Sequence, residues 1–174
     1  PFSSPVARQG PIPDLVVGDR FTSPIVCPLD YSNSDYKILP LAPLPRAVAA
    51  NLPRETAPDV RGPSTLTVAT LNLGNYSAAS PSKKTRDIAA TVVEALHCPD
   101  ILALQEVQDD TGAEDDGVTT AEKTYRALID AIAAAGGRVR YEFREVAPED
   151  NLDGGEPGGN IRVGLLFDPA RVRF

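Results

Sequence analysis

The chain has 174 residues, of which 42% are hydrophobic and 24% are charged, a balance that excludes wholesale disorder and indicates a globular protein. With 24 acidic and 17 basic residues the net charge is −7, which excludes binding of nucleic acid by overall charge alone. A phosphate-bearing ligand therefore has to be held by a local group of residues or by a metal. No apolar run approaches the roughly 18–20 residues of a membrane-spanning helix, so we expect no membrane span.

The sequence contains no methionine, so we expect residue 1 not to be an initiator, and the chain to be a mature product or a piece of a longer protein. No signal peptide is visible in it. The two cysteines, Cys27 and Cys98, match no zinc-site spacing. Two free structural thiols are one interpretation, and a disulfide between them, if the protein is secreted, is the other.

The N-terminal third is rich in proline, with twelve of the seventeen prolines in residues 1–63. Such density breaks helices and restricts strands to short pieces. We predict short strands at residues 15–19, 21–27 and 36–39, with a turn at residues 18–19. Residues 40–63, PLAPLPRAVAANLPRETAPDVRGP, are typical of a semi-rigid linker. The sequence thus predicts the end of a small β domain at residues 1–39, a Pro-rich linker at 40–63 and a compact domain at 64–174.

The compact domain has the alternating pattern of an α/β protein. We predict a strand at residues 66–71, a helix at 83–97 with Ser82 as its N-cap, a strand at 100–104, a helix at 121–135 ended by two glycines, and strands at 138–146 and 161–167, with a turn at 168–169. The first strand, helix and strand predict a parallel βαβ unit with a right-handed crossover. The almost wholly apolar strand at 100–104 should be buried on both faces.

Two of these strands end in polar side chains. LTVATLNLGNY (residues 66–76) reaches Asn72, and PDILALQEVQD (residues 99–109) reaches Glu106. The end of a strand is a rigid place to hold an oxygen ligand, so the pair predicts a site for a hard cation such as Mg²⁺. The alternatives are an asparagine that only shapes a turn and an ordinary glutamate that faces solvent. Asn75 either shares the polar role or forms the turn.

These two stretches and GGNIRVGLLFDPARV (residues 158–172) resemble the endonuclease/exonuclease/phosphatase superfamily, the deoxyribonuclease I-like metallophosphoesterases, in order and in spacing. The resemblance covers residues 66–174 and implies an α/β sandwich of the α+β type with four layers, in which two mixed sheets pack face to face with helices outside. It is closest to large secreted bacterial nucleases, which carry an OB-like β domain ahead of the catalytic domain. VGDRFTSPIVCPLDYSNSDYKILP (residues 17–40) resembles the end of that domain.

The resemblance also implies roles for individual residues. Glu106 would coordinate Mg²⁺, with Mn²⁺ or Ca²⁺ as alternatives, and Asn72 would bind the metal or a phosphate oxygen. Asn160, Arg162 and Asn75 would contact the phosphate of the substrate, since the fork of an arginine matches phosphate geometry. The implied function is metal-dependent hydrolysis of phosphodiesters in DNA or RNA by a secreted or periplasmic nuclease. The alternatives are a phosphoesterase acting on phospholipid headgroups or inositol phosphates, and a non-catalytic binding module.

The family's histidine base, its Asp-x-Asn pair and its closing Asp-His have no counterpart in this sequence. His97 follows the first predicted helix, and we expect it to be a helix cap or a surface residue. We therefore expect the chain to correspond to the N-terminal half of the catalytic domain and to be inactive alone. The apolar face of its sheet would then need the C-terminal half, or another copy of the chain, to cover it.

Three charged segments have an ordinary explanation beside a functional one. The run from Asp109 to Asp116 does not match the spacing of a calcium loop, and we predict a solvated acidic insertion. The glycine-rich residues 150–160 predict a mobile loop or a flap beside the substrate, with Asp153 as a further metal candidate. Lys83, Lys84 and Arg86 either guide a phosphate backbone or form a solvated start of a helix.

Overall fold

The computed structural model describes residues 15–173 and divides the chain into two compact units, residues 1–54 and residues 55–174. The division falls inside the segment 40–63 that the sequence predicts as a linker. None of the helices in the described part of the chain is both long and apolar enough to cross a membrane. Cys27 is half-buried and Cys98 is buried, and both are free thiols.

Within residues 15–54 the smaller unit contains four short strands in two antiparallel pairs. Strand β1 (Arg20–Phe21) pairs with β4 (Ala47–Val48), and β2 (Leu29–Ser32) forms a hairpin with β3 (Asp35–Ile38). The hairpin turns at Asn33 and Ser34, both of which have positive φ values of 54° and 62°. The OB-like character of this segment stays a prediction.

The predicted strands of the smaller unit are only partly correct. The strand at 36–39 is confirmed as β3, shifted by one residue. The strand at 15–19 is wrong, because this segment folds into a turn in which the N–H of Asp19 donates to the carbonyl of Val16 at 3.1 Å. The strand at 21–27 is wrong beyond Phe21, and the partner of β3 lies further along the chain at β2.

Over residues 55–173 the larger unit is a mixed four-stranded sheet with two helices, which confirms the α/β prediction. Its elements are β5 (Val68–Tyr76), α1 (Ser82–Ala90), β6 (Ile101–Val107), α2 (Glu122–Ala134), β7 (Glu142–Glu145) and β8 (Arg162–Phe167). The strand order is β5-β6-β8-β7, in which β5 and β6 are parallel and the other pairs are antiparallel. The parallel unit of β5, α1 and β6 is therefore confirmed.

Both helices end close to the predicted residues, by different means. Helix α1 passes into a π-helical turn at Thr91–Ala95, and His97 and Cys98 follow it with φ values of 54° and 51°. Ser82 as the N-cap of α1 is wrong: Pro81 holds that position and makes no side-chain cap. Helix α2 ends at its glycines as predicted, since the N–H of Gly137 donates to the carbonyl of Ile132 at 2.9 Å.

One face of the sheet and the two helices form the core. Residues that alternate along the strands contribute to it, since every second side chain points to the same face. The buried side chains include Leu102, Leu104, Val107 and Leu166 from the strands and Val92, Tyr125, Leu128 and Ile132 from the helical segments. This arrangement explains the apolar periodicity of both helices.

The opposite face of the sheet is more open. Val68 and Val163 are 65% and 69% exposed, and Ile101 and Ala103 of β6 are only half-buried. The prediction that β6 is buried on both faces is therefore wrong. A cleft of about 700 Å³ lies against β6, β7 and β8, and its lining residues include Ala103, Gln105, Arg144, Val163 and Leu165.

The aspartate that precedes β6 joins three segments at one end of the sheet. Asp100 is fully buried, and its Oδ2 accepts the N–H and the hydroxyl of Thr67 at 2.8 and 2.9 Å. Its Oδ1 pairs with Arg61 at 2.9 Å and with Arg171 at 3.3 Å, and Arg61 also pairs with Asp168. The Pro-Asp pair ahead of β6 thus fixes the segments before β5 and after β8 to the start of β6.

Asp100 should make the fold sensitive to acid. Burial raises the pKa of its carboxyl, but the hydrogen bonds of Thr67 and the charges of Arg61 and Arg171 outweigh burial and hold the pKa below its ordinary value. A depressed pKa adds stability that is present at neutral pH and is lost as the pH falls below about 4. We expect Asp100→Asn to lower the free energy of unfolding by on the order of 3 kcal/mol at pH 7.

The loss in Asp100→Asn should shrink at pH 3, because below a pH of about 4 the carboxyl of the unfolded chain takes up a proton before that of the folded protein does. Urea unfolding at both pH values measures it, with the exposed Asp130→Asn as the matched control. An equal loss of stability at pH 3 and pH 7 would show that the charge of Asp100 does not stabilise the fold.

A second stability prediction concerns the contact of Gly164 with Tyr125. A Cβ at Gly164 would lie 2.0 Å from the hydroxyl oxygen of Tyr125, whose ring stacks on Phe143 with centroids 4.6 Å apart. Gly164→Ala should therefore cost about 1–3 kcal/mol in thermal or urea unfolding. Tyr125→Phe should cost little, because the buried hydroxyl has no hydrogen-bond partner within residues 15–173, and it should restore part of the loss in the double variant. A Gly164→Ala protein as stable as wild type would contradict this packing.

Candidate functional site

The two predicted metal ligands meet at one edge of the sheet. Asn72 of β5 lies opposite Gln105 of β6, the residue before Glu106. The side-chain amide of Asn72 donates from Nδ2 to Oε1 of Glu106 at 2.8 Å. The contact uses Oε1, and within residues 15–173 Oε2 of the carboxylate makes no hydrogen bond or ion pair. The structure therefore brings together the pair for which the sequence predicts a hard-cation site.

The backbone at this edge is irregular on both strands. The register of β5 against β6 shifts between Asn72 and Tyr76, and that of β6 against β8 shifts between Leu104 and Val107. Glu106 has a φ of 53°, a left-handed conformation that costs a residue with a side chain about 1–3 kcal/mol. In a regular strand Glu106 would point to the face of Leu104, toward the helices. The irregular backbone instead turns its carboxylate to Asn72.

The same irregularity gives Asn72 a second role. Its Oδ1 accepts the N–H of Gly74 at 2.8 Å, and Gly74 and Asn75 follow with φ values of 61° and 56°. Asn72 therefore shapes a turn through Oδ1 and contacts Glu106 through Nδ2 at the same time. The structure shows the role of Asn72 in the turn, and its metal role stays a prediction, since Oδ1, the atom that would bind a cation, accepts the N–H of Gly74.

Asn75 lies at the same edge and contacts a residue that the sequence did not indicate. Its Nδ2 donates to Oε2 of Glu156 at 3.3 Å, and Nε2 of Gln108 donates to the same oxygen at 2.8 Å. Gln108 follows Glu106 by two residues, and Glu156 belongs to the glycine-rich loop. The pairing was missed because Glu156 is 81 residues from Asn75 and 48 from Gln108.

Helix α1 contributes one cation to this edge. Nζ of Lys84 donates to the carbonyls of Gly74 and Asn75, the latter at 3.1 Å. Lys83 instead pairs with Asp87 at 2.6 Å on the exposed side of the helix. Of the predicted basic cluster, Lys84 is thus the member that contacts the strand end. A groove of about 430 Å³ runs beside it, lined by residues that include Leu71, Asn72, Pro81 and Lys84.

Asn160, one of the predicted phosphate contacts, is buried and engaged inside the protein. Its Nδ2 donates to Oδ2 of Asp109 at 3.0 Å, to the carbonyl of Val118 at 2.8 Å and to Asp150 at 3.1 Å. Its Oδ1 accepts the N–H of Asn151 at 2.8 Å. In this arrangement Asn160 joins the glycine-rich loop to the segment after β6.

Arg162 is likewise buried, and each of its guanidinium nitrogens has a partner. Nε and Nη2 donate to the carbonyl of Asn160 at 3.2 and 2.9 Å, and Nη1 donates to the carbonyl of Thr119 at 2.6 Å. Nη1 also pairs with Glu145 at 3.4 Å. A phosphate contact by Asn160 or Arg162 stays a prediction, and it would require these internal hydrogen bonds to open.

Two residues of the acidic run are buried, which corrects the predicted solvated insertion. Asp109 is fully buried, and its Oδ1 accepts the N–H groups of Thr111 and Gly112 at 2.9 and 2.8 Å. Oδ1 of Asp110 accepts the N–H of Thr124 in the first turn of α2 at 2.9 Å. These carboxylates order the chain after β6 and cap a helix, whereas Glu114, Asp115 and Asp116 are exposed as predicted.

The donor set at this edge suits Mg²⁺ better than zinc. Within residues 15–173, no three His, Cys, Asp or Glu side chains are placed to share a metal ion. Mg²⁺ binds through one or two carboxylates and keeps several waters, so Glu106, with Asn72 beside it, is compatible with such a site. A closed zinc site would need four nitrogen or sulfur ligands.

The left-handed conformation of Glu106 predicts an unusual order of stability. At most positions alanine is more stable than glycine, because glycine loses more conformational entropy on folding. At a φ of 53° the order should reverse. In urea unfolding, the free energy of unfolding of Glu106→Gly should be about 1 kcal/mol higher than that of Glu106→Ala. Both variants lose the contact with Asn72, which makes them a matched pair. A Glu106→Ala protein more stable than Glu106→Gly would show that the backbone at residue 106 is not strained.

No protein-family model, no curated protein and no solved structure matches this chain. The family resemblance therefore stays a prediction from three stretches of sequence.

Proposed function

We propose that residues 55–174 carry one side of the active centre of a magnesium-dependent phosphodiesterase, a nuclease that acts on DNA or RNA. The observation that carries the proposal is the contact of Asn72 with Glu106 at the ends of two adjacent parallel strands. A carboxylate at the end of a strand, with one oxygen available and a neutral amide beside it, has the chemistry of a ligand for a hard cation.

The backbone of Glu106 supports a functional role. A residue with a side chain is strained at a φ of 53°, and glycine would occupy this conformation at less cost. Strain of this kind collects at ligand-binding and catalytic positions, where the side chain is needed in one direction. A glutamate there is explained if its carboxylate binds a ligand.

The charge of the unit agrees with metal-assisted binding of a phosphodiester. Acidic residues outnumber basic residues in residues 55–174, so overall charge would repel a polyanion. Mg²⁺ held by Glu106 would polarise a phosphoryl oxygen and offset charge on the leaving oxygen. Asn72 would orient the carboxylate of Glu106, and the ammonium of Lys84 would hold the turn that contains Asn75.

The general base has to come from elsewhere. His97 is the one histidine of the sequence, and it precedes β6, whereas Glu106 lies near the far end of that strand. The strand advances five residues from Ile101 to Glu106, roughly 17 Å, and His97 lies before its start. We propose that the base belongs to the C-terminal half that the family resemblance implies. That half, or another copy of the chain, would also cover the open face of the sheet, and the whole protein would act outside the cytoplasm, secreted or periplasmic.

A second candidate function is a non-catalytic binding module. It is favoured by the small number of ligands, because within the described residues no three acidic, histidine or cysteine side chains converge. Binding of Mg²⁺ that depends on Glu106 would favour the phosphodiesterase. Binding of a nucleic acid without any dependence on Mg²⁺ would favour the module.

The proposal predicts that the 174-residue chain binds Mg²⁺ through Glu106. In isothermal titration calorimetry, Glu106→Gln should weaken binding by about tenfold or more, since it removes the charge of the ligand and keeps its shape. Glu149→Gln removes the same charge from an exposed position and should leave the affinity unchanged. Equal Mg²⁺ affinities of wild type and Glu106→Gln would contradict the metal role of Glu106.

A companion assay separates binding from catalysis. Incubated with plasmid DNA and Mg²⁺, the 174-residue chain should nick at or near the background rate, because the base is not at this edge. A longer protein that includes the implied second half should nick, and Glu106→Gln should abolish that activity. Robust nicking by residues 1–174 would show that the account of the base is wrong.

A further inference from the structure

Glu156 connects the two strand ends that carry the candidate metal ligands. One oxygen of its carboxylate, Oε2, accepts from the amide of Asn75 at 3.3 Å and from the amide of Gln108 at 2.8 Å. Asn75 follows Asn72 by three residues, and Gln108 follows Glu106 by two. The carboxylate therefore joins the end of β5 to the end of β6 one step beyond the contact of Asn72 with Glu106.

The glycine-rich loop is built to place Glu156 there. The N–H of Gly159 donates to the carbonyl of Glu156 at 3.0 Å, and the N–H of Asp109 donates to the carbonyl of Gly159 at 3.2 Å. A Cβ at Gly159 would lie 2.6 Å from Nε2 of Gln108. Glycine at this position thus leaves room for the amide of Gln108 to reach Glu156.

The partners of Glu156 indicate what it does. Gln108 is 4% exposed, so its amide would lose a hydrogen bond in a buried place if Glu156 were removed. Both partners are neutral amides that need an acceptor oxygen and no negative charge. Residues that hydrogen-bond to a metal ligand and orient it commonly lower metal affinity by about 10–100-fold when they are mutated.

We propose that Glu156 is a positioning residue, which sets the spacing between the ends of β5 and β6 and so holds Glu106 and Asn72 in the geometry that binds Mg²⁺. The role of Glu156 rests on the proposed function, because the site it positions is the proposed metal site. It acts through Asn75 and Gln108, and its own carboxylate does not bind the cation.

Two substitutions of the same residue test the proposal. Glutamine keeps an acceptor oxygen where Oε2 lies, whereas alanine removes it. In titration calorimetry we expect Glu156→Ala to weaken Mg²⁺ binding by about 10–100-fold and Glu156→Gln to bind nearly as well as wild type. Glu149→Ala, which removes an exposed glutamate before the same glycines, should bind as wild type does.

The side-chain amide signals of Asn75 and Gln108 in ¹H–¹⁵N spectra give a second readout that needs no metal. They should shift in Glu156→Ala and stay in place in Glu156→Gln and Glu149→Ala. Unshifted signals in Glu156→Ala would overturn the bridge itself, whatever the metal binding.

The calorimetry has two further outcomes that overturn the proposal. Equal weakening by Glu156→Ala and Glu156→Gln would mean that Glu156 acts by its charge, as a ligand would. Wild-type affinity in both variants would mean that the spacing does not depend on it. Absence of Mg²⁺ binding by the wild type, with the amide signals shifted as expected, would overturn the proposed function and leave Glu156 with a structural role only.

Discussion

The parallel pairing of β5 with β6 is the constraint on which the larger unit depends. At one end of the pair, the buried carboxylate of Asp100 accepts both hydrogen bonds of Thr67 and pairs with two arginines, which fixes where the strands begin. At the other end, the same register sets Asn72 beside Glu106. Because side chains alternate along a strand, a slip of one residue would point Asn72 to the opposite face and separate it from Glu106. The register that is fixed where β5 and β6 begin thus sets the positions of Asn72 and Glu106 near the ends of these strands.

The edge with the candidate ligands differs in kind from the edge with Asp100. Asp100 is fully buried, and each of its carboxylate oxygens has a hydrogen-bond or ion-pair partner. Glu106 is half-buried, strained at its backbone and held through one oxygen, and the strand ends around it are joined by a loop residue, Glu156. Strained residues cluster at functional sites, which is consistent with the ligand-binding role that we propose for Glu106.

Patterns of neighbouring residues in the sequence predict most of the secondary structure of the larger unit. The helices, the parallel unit and the meeting of Asn72 with Glu106 follow from apolar periodicity and from the common direction of two strands. The roles of Asn160 and Arg162 could not be predicted, because a motif indicates where a side chain lies along the chain and not which buried carbonyl or carboxylate it contacts. Asp109 and Asp110 look like part of a solvated run, yet local turns and a helix start use them as acceptors. In the Pro-rich segment the strands are only two to four residues long, too short for alternation to show.

Paramagnetic broadening by Mn²⁺ would show whether a cation binds at the ends of β5 and β6. Mn²⁺ added below stoichiometry to ¹⁵N-labelled protein broadens the amide signals nearest to it. We expect the signals around Asn72, Asn75, Glu106 and Gln108 to broaden first, and we expect an excess of Mg²⁺ to reverse the broadening by displacing Mn²⁺. Broadening centred on the exposed carboxylates at Glu114, Asp115 and Asp116, with the strand ends unaffected, would contradict this expectation.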